Sequence, residues 1–200
     1  MLRIITLSLV LLPITYGSAQ SLRYGVKSGL NLSDIVLANF INNDVESDYR
    51  MKFGFHAGIY CSADLIEQFF LDTELIFSNK GTKAGERINL YYITIPFLLR
   101  YALSDQFSVA LGPEFGYLIA ARSPLGDVSN TWNNKLDFGV DLDARYRLAE
   151  RLQIGARYNA GFSSVIDTRS SSSSNPGETI KYQNRTLQFS LYLQVGERSY

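Results

Sequence analysis

Long period-2 runs, connections that alternate short and long, and aromatic residues at both ends of the apolar face predict the fold. It is all-β, an eight-stranded antiparallel up-and-down transmembrane β-barrel with short periplasmic turns and longer extracellular loops. The composition agrees, with 13 Tyr, 12 Phe and 15 Gly beside 5 Pro and 2 Met among 200 residues, a balance that favours strands over helices.

The chain divides into a leader, 1–19, and a barrel domain, 20–200. Arg3 supplies a positive start, Ile4 to Ile14 form an apolar run, and Gly17, Ser18 and Ala19 are small. With Gly17 at −3 and Ala19 at −1, the segment reads as a secretory signal cleaved before Gln20. The apolar run is too short for a membrane span of roughly 20 residues.

The barrel strands follow in order. In the first, Leu22, Tyr24, Val26 and Leu30 alternate with Arg23, Gly25, Lys27 and Gly29; in the second, Phe53, Phe55, Ala57, Ile59 and Cys61 alternate with Gly54, His56, Gly58, Tyr60 and Ser62. The third sets Phe69, Leu71, Leu75 and Phe77 against Asp72 and Glu74, and the fourth sets Tyr91, Ile93, Ile95, Phe97, Leu99 and Tyr101 against Tyr92, Thr94, Pro96 and Arg100. In the fifth, Phe107, Val109, Leu111, Phe115, Tyr117 and Ile119 oppose Ser108, Gly112, Glu114 and Gly116. The sixth runs from Leu136 to Arg147 with Asp137, Asp141, Asp143, Arg145 and Arg147 on its polar face, and the seventh from Leu152 to Phe162 with Arg157 on that face. The eighth alternates Leu187, Phe189, Leu191, Leu193 and Val195 with polar or small residues. Runs of ten or more residues suit a tilted membrane strand of about 9–11 residues better than a soluble strand of about five or six.

Tight turns are expected at Asp64 to Gln68, Leu103 to Gln106 and Leu148 to Arg151. Long polar loops are expected near Ser33 to Met51, Asn79 to Asn89, Arg122 to Asn134 and Ser163 to Gln183. Period 2 alone does not say which face is inside, so a secreted soluble barrel shares the pattern. Strand length, loop alternation and aromatic rims favour lipid outside. Phe69, Tyr101, Phe107 and Tyr146 lie beside the short turns, and Phe53, Phe77, Tyr91, Tyr117 and Phe162 toward the long loops.

Composition excludes several functions. With 19 basic and 19 acidic residues the chain is neutral, so it lacks the basic face of a nucleic-acid binder. One cysteine, Cys61, makes neither an internal disulfide nor a thiolate zinc site. A mean hydropathy of −0.03 is too low for a bundle of membrane helices.

If lipid lies outside, the polar face lines a bore just wide enough for side chains to fill. It carries Arg23, Lys27, Arg100, Arg145, Arg147 and Arg157 as bases, and Asp72, Glu74, Glu114, Asp137, Asp141 and Asp143 as acids. Unpaired buried charge is expensive, so six against six predicts a self-neutralising ion-pair network that plugs the lumen. A narrow pore for small solutes would use the same residues. Asp137, Asp141 and Asp143 project to one side, as calcium or magnesium ligands do, but Arg145 and Arg147 continue the row, and ion pairing is expected instead of a metal. No cofactor is expected.

His56 is the one imidazole and faces the lumen. A hydrolase would need Ser62 and Asp72 to reach it across strands; a hydrogen-bonded structural histidine is the simpler expectation. The serine tract Ser170 to Ser174 and the acidic first loop, with Asp34, Asp44, Glu46 and Asp48, read as solvated surface or as contacts for a partner outside the cell.

Lys52-Phe-Gly-Phe-His-Ala-Gly58, Glu74-Leu-Ile-Phe-Ser-Asn-Lys-Gly81, Tyr91-Tyr92 leading to Ile95-Pro96 and Leu98-Leu-Arg-Tyr101, and Leu111-Gly-Pro-Glu-Phe-Gly116 occur in this order over most of the barrel domain. The set resembles the PorT-like, porin-family outer-membrane β-barrel proteins of the Bacteroidota. The resemblance implies an integral outer-membrane barrel and supplies no catalytic residues. PorT-type members take part in protein secretion, a role not transferred here. The expected function is therefore non-enzymatic: a small, monomeric barrel in outer-membrane lipid with a structural, adhesive or partner-binding role, an envelope protein being the candidate partner through the loops.

Two outcomes follow from this reading. N-terminal sequencing of the protein recovered from membranes should begin at Gln20, and the mature chain should partition with detergent. Recovery in the aqueous fraction would show that the apolar face does not meet lipid.

Overall fold

A computed structural model describes residues 21–37, 51–84, 86–129, 135–163, 166–169 and 179–199. The leader 1–19 and the serine tract lie outside them. Ten strands are present: β1 (Ser21–Leu37), β2 (Lys52–Ile66), β3 (Phe69–Ala84), β4 (Glu86–Ala102), β5 (Phe107–Ser123), β6 (Gly126–Asp127), β7 (Leu136–Ala149), β8 (Leu152–Gly161), β9 (Ile166–Arg169) and β10 (Thr179–Ser199). Eight of them form the wall, in the order β1-β2-β3-β4-β5-β7-β8-β10, and β10 pairs back onto β1. Every pairing is antiparallel, and the closing seam runs from Ser21↔Ser199 to Leu37↔Tyr182. Closure leaves the wall without a free edge, the condition for a sheet to cross lipid. The short strands β6 and β9 pair only with β5 and β10, above the wall.

The alternation in the sequence decides what faces where. Leu30, Ile59, Leu111, Leu142 and Leu193 are exposed on the outside, while their neighbours Asn31, Tyr60, Ala110, Asp143 and Tyr192 are buried inside. At the short-turn rim Phe69 packs on Tyr101 with ring centroids 4.9 Å apart. Tyr146 there donates its hydroxyl to Gln106 Oε1 at 3.0 Å, keeping its ring in the apolar belt and its tip in the polar layer. Toward the other rim, Phe97, Phe115, Phe138 and Phe162 form a ladder of successive ring contacts across four strands.

The structure changes the expected loops. Asn79 to Asn89 is not a long loop, because β3 and β4 stay paired to Ala84↔Glu86. Ser33 and the residues after it continue β1 against β10, and Thr179 to Tyr182 pair with β9. Asn79 to Asn89 is mostly polar on both faces and Ile35-Val36-Leu37 is apolar on both, so each loses the alternation that marks a strand in lipid while its backbone ladder continues. Gly81 has φ +129° within the β3–β4 extension, a conformation open to glycine, and a Cβ there would meet Ile88 O at 2.2 Å.

Beyond β5 the chain turns back at Gly126, φ +128°. Ser129 N donates to Asp127 Oδ1 at 2.8 Å, and bonding to Ser129 holds this fully exposed carboxyl below its ordinary pKa. Val128 N donates to Ala121 O at 3.0 Å. That fold-back sets Val128 on a small apolar cluster of Leu90, Tyr92, Leu118 and Ala121, with Ile88 beside it. The cluster lies in the outer end of the bore.

A charge on the lipid face should be costly only where lipid is. Leu142→Arg, at mid-strand, is expected to destabilise the barrel by about 2–4 kcal/mol in urea titrations in phospholipid vesicles. Leu125→Arg, on the 86% exposed turn above the wall, should change stability by less than about 0.5 kcal/mol.

Candidate functional site

The polar rows of the eight strands converge on the bore. Among the described residues, six buried bases (Lys27, Lys52, Lys80, Arg100, Arg145, Arg157) face six buried acids (Asp72, Glu74, Glu114, Asp137, Asp141, Asp143). Alternation on β1, β2, β3, β4, β5, β7 and β8 is what turns these side chains inward.

Glu74 on β3 is the centre. One carboxylate oxygen accepts from Lys27 Nζ at 2.9 Å. The other accepts from Arg145 Nη2 and from Arg157 Nη2, both at 2.7 Å. Lys27 comes from β1, whereas Arg145 and Arg157 come from β7 and β8 on the far wall, so these bonds cross the bore. A second set lies against the first: Arg100 donates Nε to Asp72 Oδ2 at 2.6 Å and Nη2 to Asp143 Oδ1. Arg145 approaches Asp72 at 3.2 Å and Asp143 at 3.2 Å, and Arg157 Nε donates to Asp143 Oδ2 at 3.0 Å. Charge-assisted bonds of this kind are the strong ones, and guanidinium planes let one arginine serve two or three carboxylates. Tyr192 completes the layer: its hydroxyl accepts from Lys27 at 3.0 Å, and the Arg145 guanidinium lies 3.8 Å from its ring centroid.

Nearer the outer end the partners are mixed. Lys80 Nζ donates to Glu114 Oε1 at 2.9 Å, and Lys52 Nζ donates to Lys80 O at 2.9 Å and to Asn79 Oδ1. Asn159 donates to Asp141 at 2.6 Å and Asn184 to Asp137 at 2.8 Å. Of Asp137, Asp141 and Asp143, read from the sequence as one carboxylate row, Asp137 is thus held by Asn184, while Asp141 and Asp143 share Arg157. Among the described residues no group of three or more His, Cys, Asp or Glu side chains is disposed to hold a metal ion.

Two expected members sit elsewhere. Arg23 pairs with Asp64 and lies over the Phe70 ring at the short-turn mouth. Arg147 is exposed, paired in register with Gln153 next to the β7–β8 turn. Both follow the polar phase, but the bore ends before they reach it, leaving Arg147 exposed and Arg23 half-buried. Lys52 and Lys80 take their places inside. Sequence reading assigned Lys80 to a loop because the strand around it lacks apolar alternation. The Glu74-to-Gly81 segment, whose Lys80 is two residues in phase from Ser78, carried the signal that could have found it.

His56 is buried beneath the seam. Its Nδ1 lies 2.7 Å from Asn31 Oδ1 and its Nε2 lies 2.8 Å from Ser190 Oγ. Gly29 makes room for the ring, since a Cβ there would sit 2.8 Å from His56 Cε1. A serine, an imidazole and an amide oxygen in series have the connectivity of a nucleophile, base and orienting group. All three are nevertheless buried, and none lines the cavity at the short-turn mouth. The approach of Ser62 and Asp72 that a hydrolase would need does not form: His56 is bonded to Asn31 and Ser190, and Asp72 is held by Arg100 and Arg145.

The closed barrel has solved counterparts. Neisserial surface protein A superposes with a TM-score of 0.53 at 12% identity, over 86% of this chain and 96% of that one. Ail, the attachment invasion locus protein of Yersinia pestis, gives 0.48 at 9% identity over 86% and 97%. The outer membrane protein OprG from Pseudomonas aeruginosa gives 0.40 at 11% identity over 92% and 98%. At these identities the first likeness shows fold alone. Among curated proteins no sequence match is found. The profile of the outer membrane protein beta-barrel domain matches residues 18–167. With its apolar face outward and its wall closed, the chain belongs to the outer membrane protein beta-barrel domain family and resides in the outer membrane.

Proposed function

We propose that this protein is a closed, non-conducting scaffold that presents its outer connections to a partner outside the cell, in a structural, adhesive or partner-binding role. The observation that carries the reading is the Glu74-centred network across the bore. An eight-stranded barrel encloses about enough space for its own side chains. Here that space holds Lys27, Arg100, Arg145 and Arg157 locked to Glu74, Asp72 and Asp143, followed by the apolar cluster around Leu90 and Leu118. A solute would have to break several buried ion pairs.

Support for a contact role comes from the outer end. The β3–β4 and β9–β10 hairpins extend the wall into water. Leu125 is displayed on an ordered turn at 86% exposure, an apolar side chain with nothing to cover it among the described residues. Support for a PorT-like relative from the Bacteroidota comes from the ordered motifs around His56, Lys80, Pro96 and Pro113. Support for a cleaved leader comes from Arg3, the apolar run and Ala19. The reading has no catalytic step, and the barrel acts as a monomer in outer-membrane lipid.

The refolded protein should be electrically silent in planar bilayers. Reproducible unitary conductance of the wild type would overturn the closed reading in favour of a narrow pore. Glu74→Gln should cost about 3–5 kcal/mol in urea titrations, because it leaves three buried cations short of their common partner. A loss under about 1 kcal/mol would show that the network is not what closes the bore.

A further inference from the structure

The short-turn mouth contains a cavity of about 290 Å³ whose lining includes Arg23, Arg100, Arg145 and Arg147, together with Gln68, Gln106, Gln153 and Gln194. By the orientation of short turns in such barrels it opens to the periplasm. Its volume is at the lower end of ligand sites, suited to a short segment and not to a folded domain. We propose that this mouth binds a free carboxylate at the end of a short peptide chain in the periplasm.

The floor and the walls play different parts. Arg100 and Arg145 form the floor, but their donors are committed to Asp72, Asp143, Glu74 and Ser108. They set a rigid, charge-balanced base. Arg147 is different: its guanidinium makes no ion pair or side-chain hydrogen bond among the described residues, although it lines the same cavity. Arg23, on the same lining, has its Nη2 on Asp64, its guanidinium over the Phe70 ring and its Nε fully buried, so it adds charge to the cavity and no free donor. One unengaged guanidinium matches a single carboxylate, which accepts two parallel N–H bonds from it in fork geometry.

The rest of the lining selects the kind of anion. Four glutamines line the cavity with Arg147, and the side chains of Gln68 and Gln153 have no partner among the described residues. An amide both donates and accepts, which suits the N–H and C=O groups of a peptide; the oxygens of a phosphate can use only donors. Glu67 and Asp105 also line the cavity and are exposed on the turns. Their charge opposes a dianion more than a monoanion. Tyr60 and Phe70 add apolar surface for a small side chain. The site is independent of what the outer connections contact and of whether the bore conducts.

The test uses the full mature barrel refolded in detergent micelles, with acetyl-alanyl-alanine as the probe, its C-terminal amide as the uncharged control and inorganic phosphate as the competing anion. Calorimetry and amide-resonance shifts should show saturable binding of the free carboxylate, with side-chain amide shifts at Gln68 and Gln153. Arg147→Gln should weaken it about tenfold or more, the loss of one charge-assisted pair. Arg122→Gln, exposed at the opposite end, should leave it unchanged. If Arg147→Gln does not give a heat-modifiable barrel, Gln153→Ala replaces it, with a smaller loss expected. Absence of saturable binding, equal binding of the amide, equal or tighter binding of phosphate, or an unchanged affinity in Arg147→Gln would each overturn the proposal.

Discussion

The fold hangs on a carboxylate that three cations share across an eight-stranded bore. A membrane barrel turns its apolar residues outward, so it has no oily core with which to hold opposite walls together. Glu74 supplies that link, from β3 to β1 on one side and to β7 and β8 on the other. Buried charge is costly in isolation, but each guanidinium here meets more than one carboxylate, and Tyr192 and Ser108 take remaining donors. The network fixes the walls at the distance at which the lumen is full. The same constraint requires a neutral interior, and six bases against six acids provide it.

Much of this was legible in the sequence because lipid imposes a strict period of two. From Leu22 to Leu30, from Phe53 to Cys61, and again from Leu136 to Tyr146, the inward and outward residues follow directly from the alternation, as Lys27, Asp141 and Arg145 illustrate. The pattern stopped being informative where the strand leaves lipid. Asn79 to Asn89 carries polar residues on both faces, so the continuing backbone ladder was invisible and Lys80 was missed with it. The partners of Arg23 and Arg147 failed for another reason: phase tells which way a side chain points and not how deep in the bore it sits. The contact of His56 with Ser190 depends on which strand closes the barrel beside β1, a fact of topology that no local spacing encodes.

The two ends of the barrel are built differently. Outward of the ion network, Leu90, Leu118 and Ala121 with Val128 make a small apolar cluster on the β4–β5 side of the wall. At the short-turn end the bore opens into a cavity bordered by guanidinium and amide groups. The ion network thus lies between a small apolar cluster at the outer end and a polar vestibule at the inner one.

The seam between β1 and β10 bears on how such a molecule comes to exist. All 17 residues of the first strand are paired with the last, so the longest sequence separations in the chain become nearest neighbours only at closure. Until β10 is in place, both edges of the growing sheet carry unpaired amides that lipid cannot solvate. Contacts of such range form late and slowly. A nascent chain of this kind therefore depends on being shielded in the periplasm until its final strand has been delivered, and its lifetime there is governed by topology more than by the strength of any single bond.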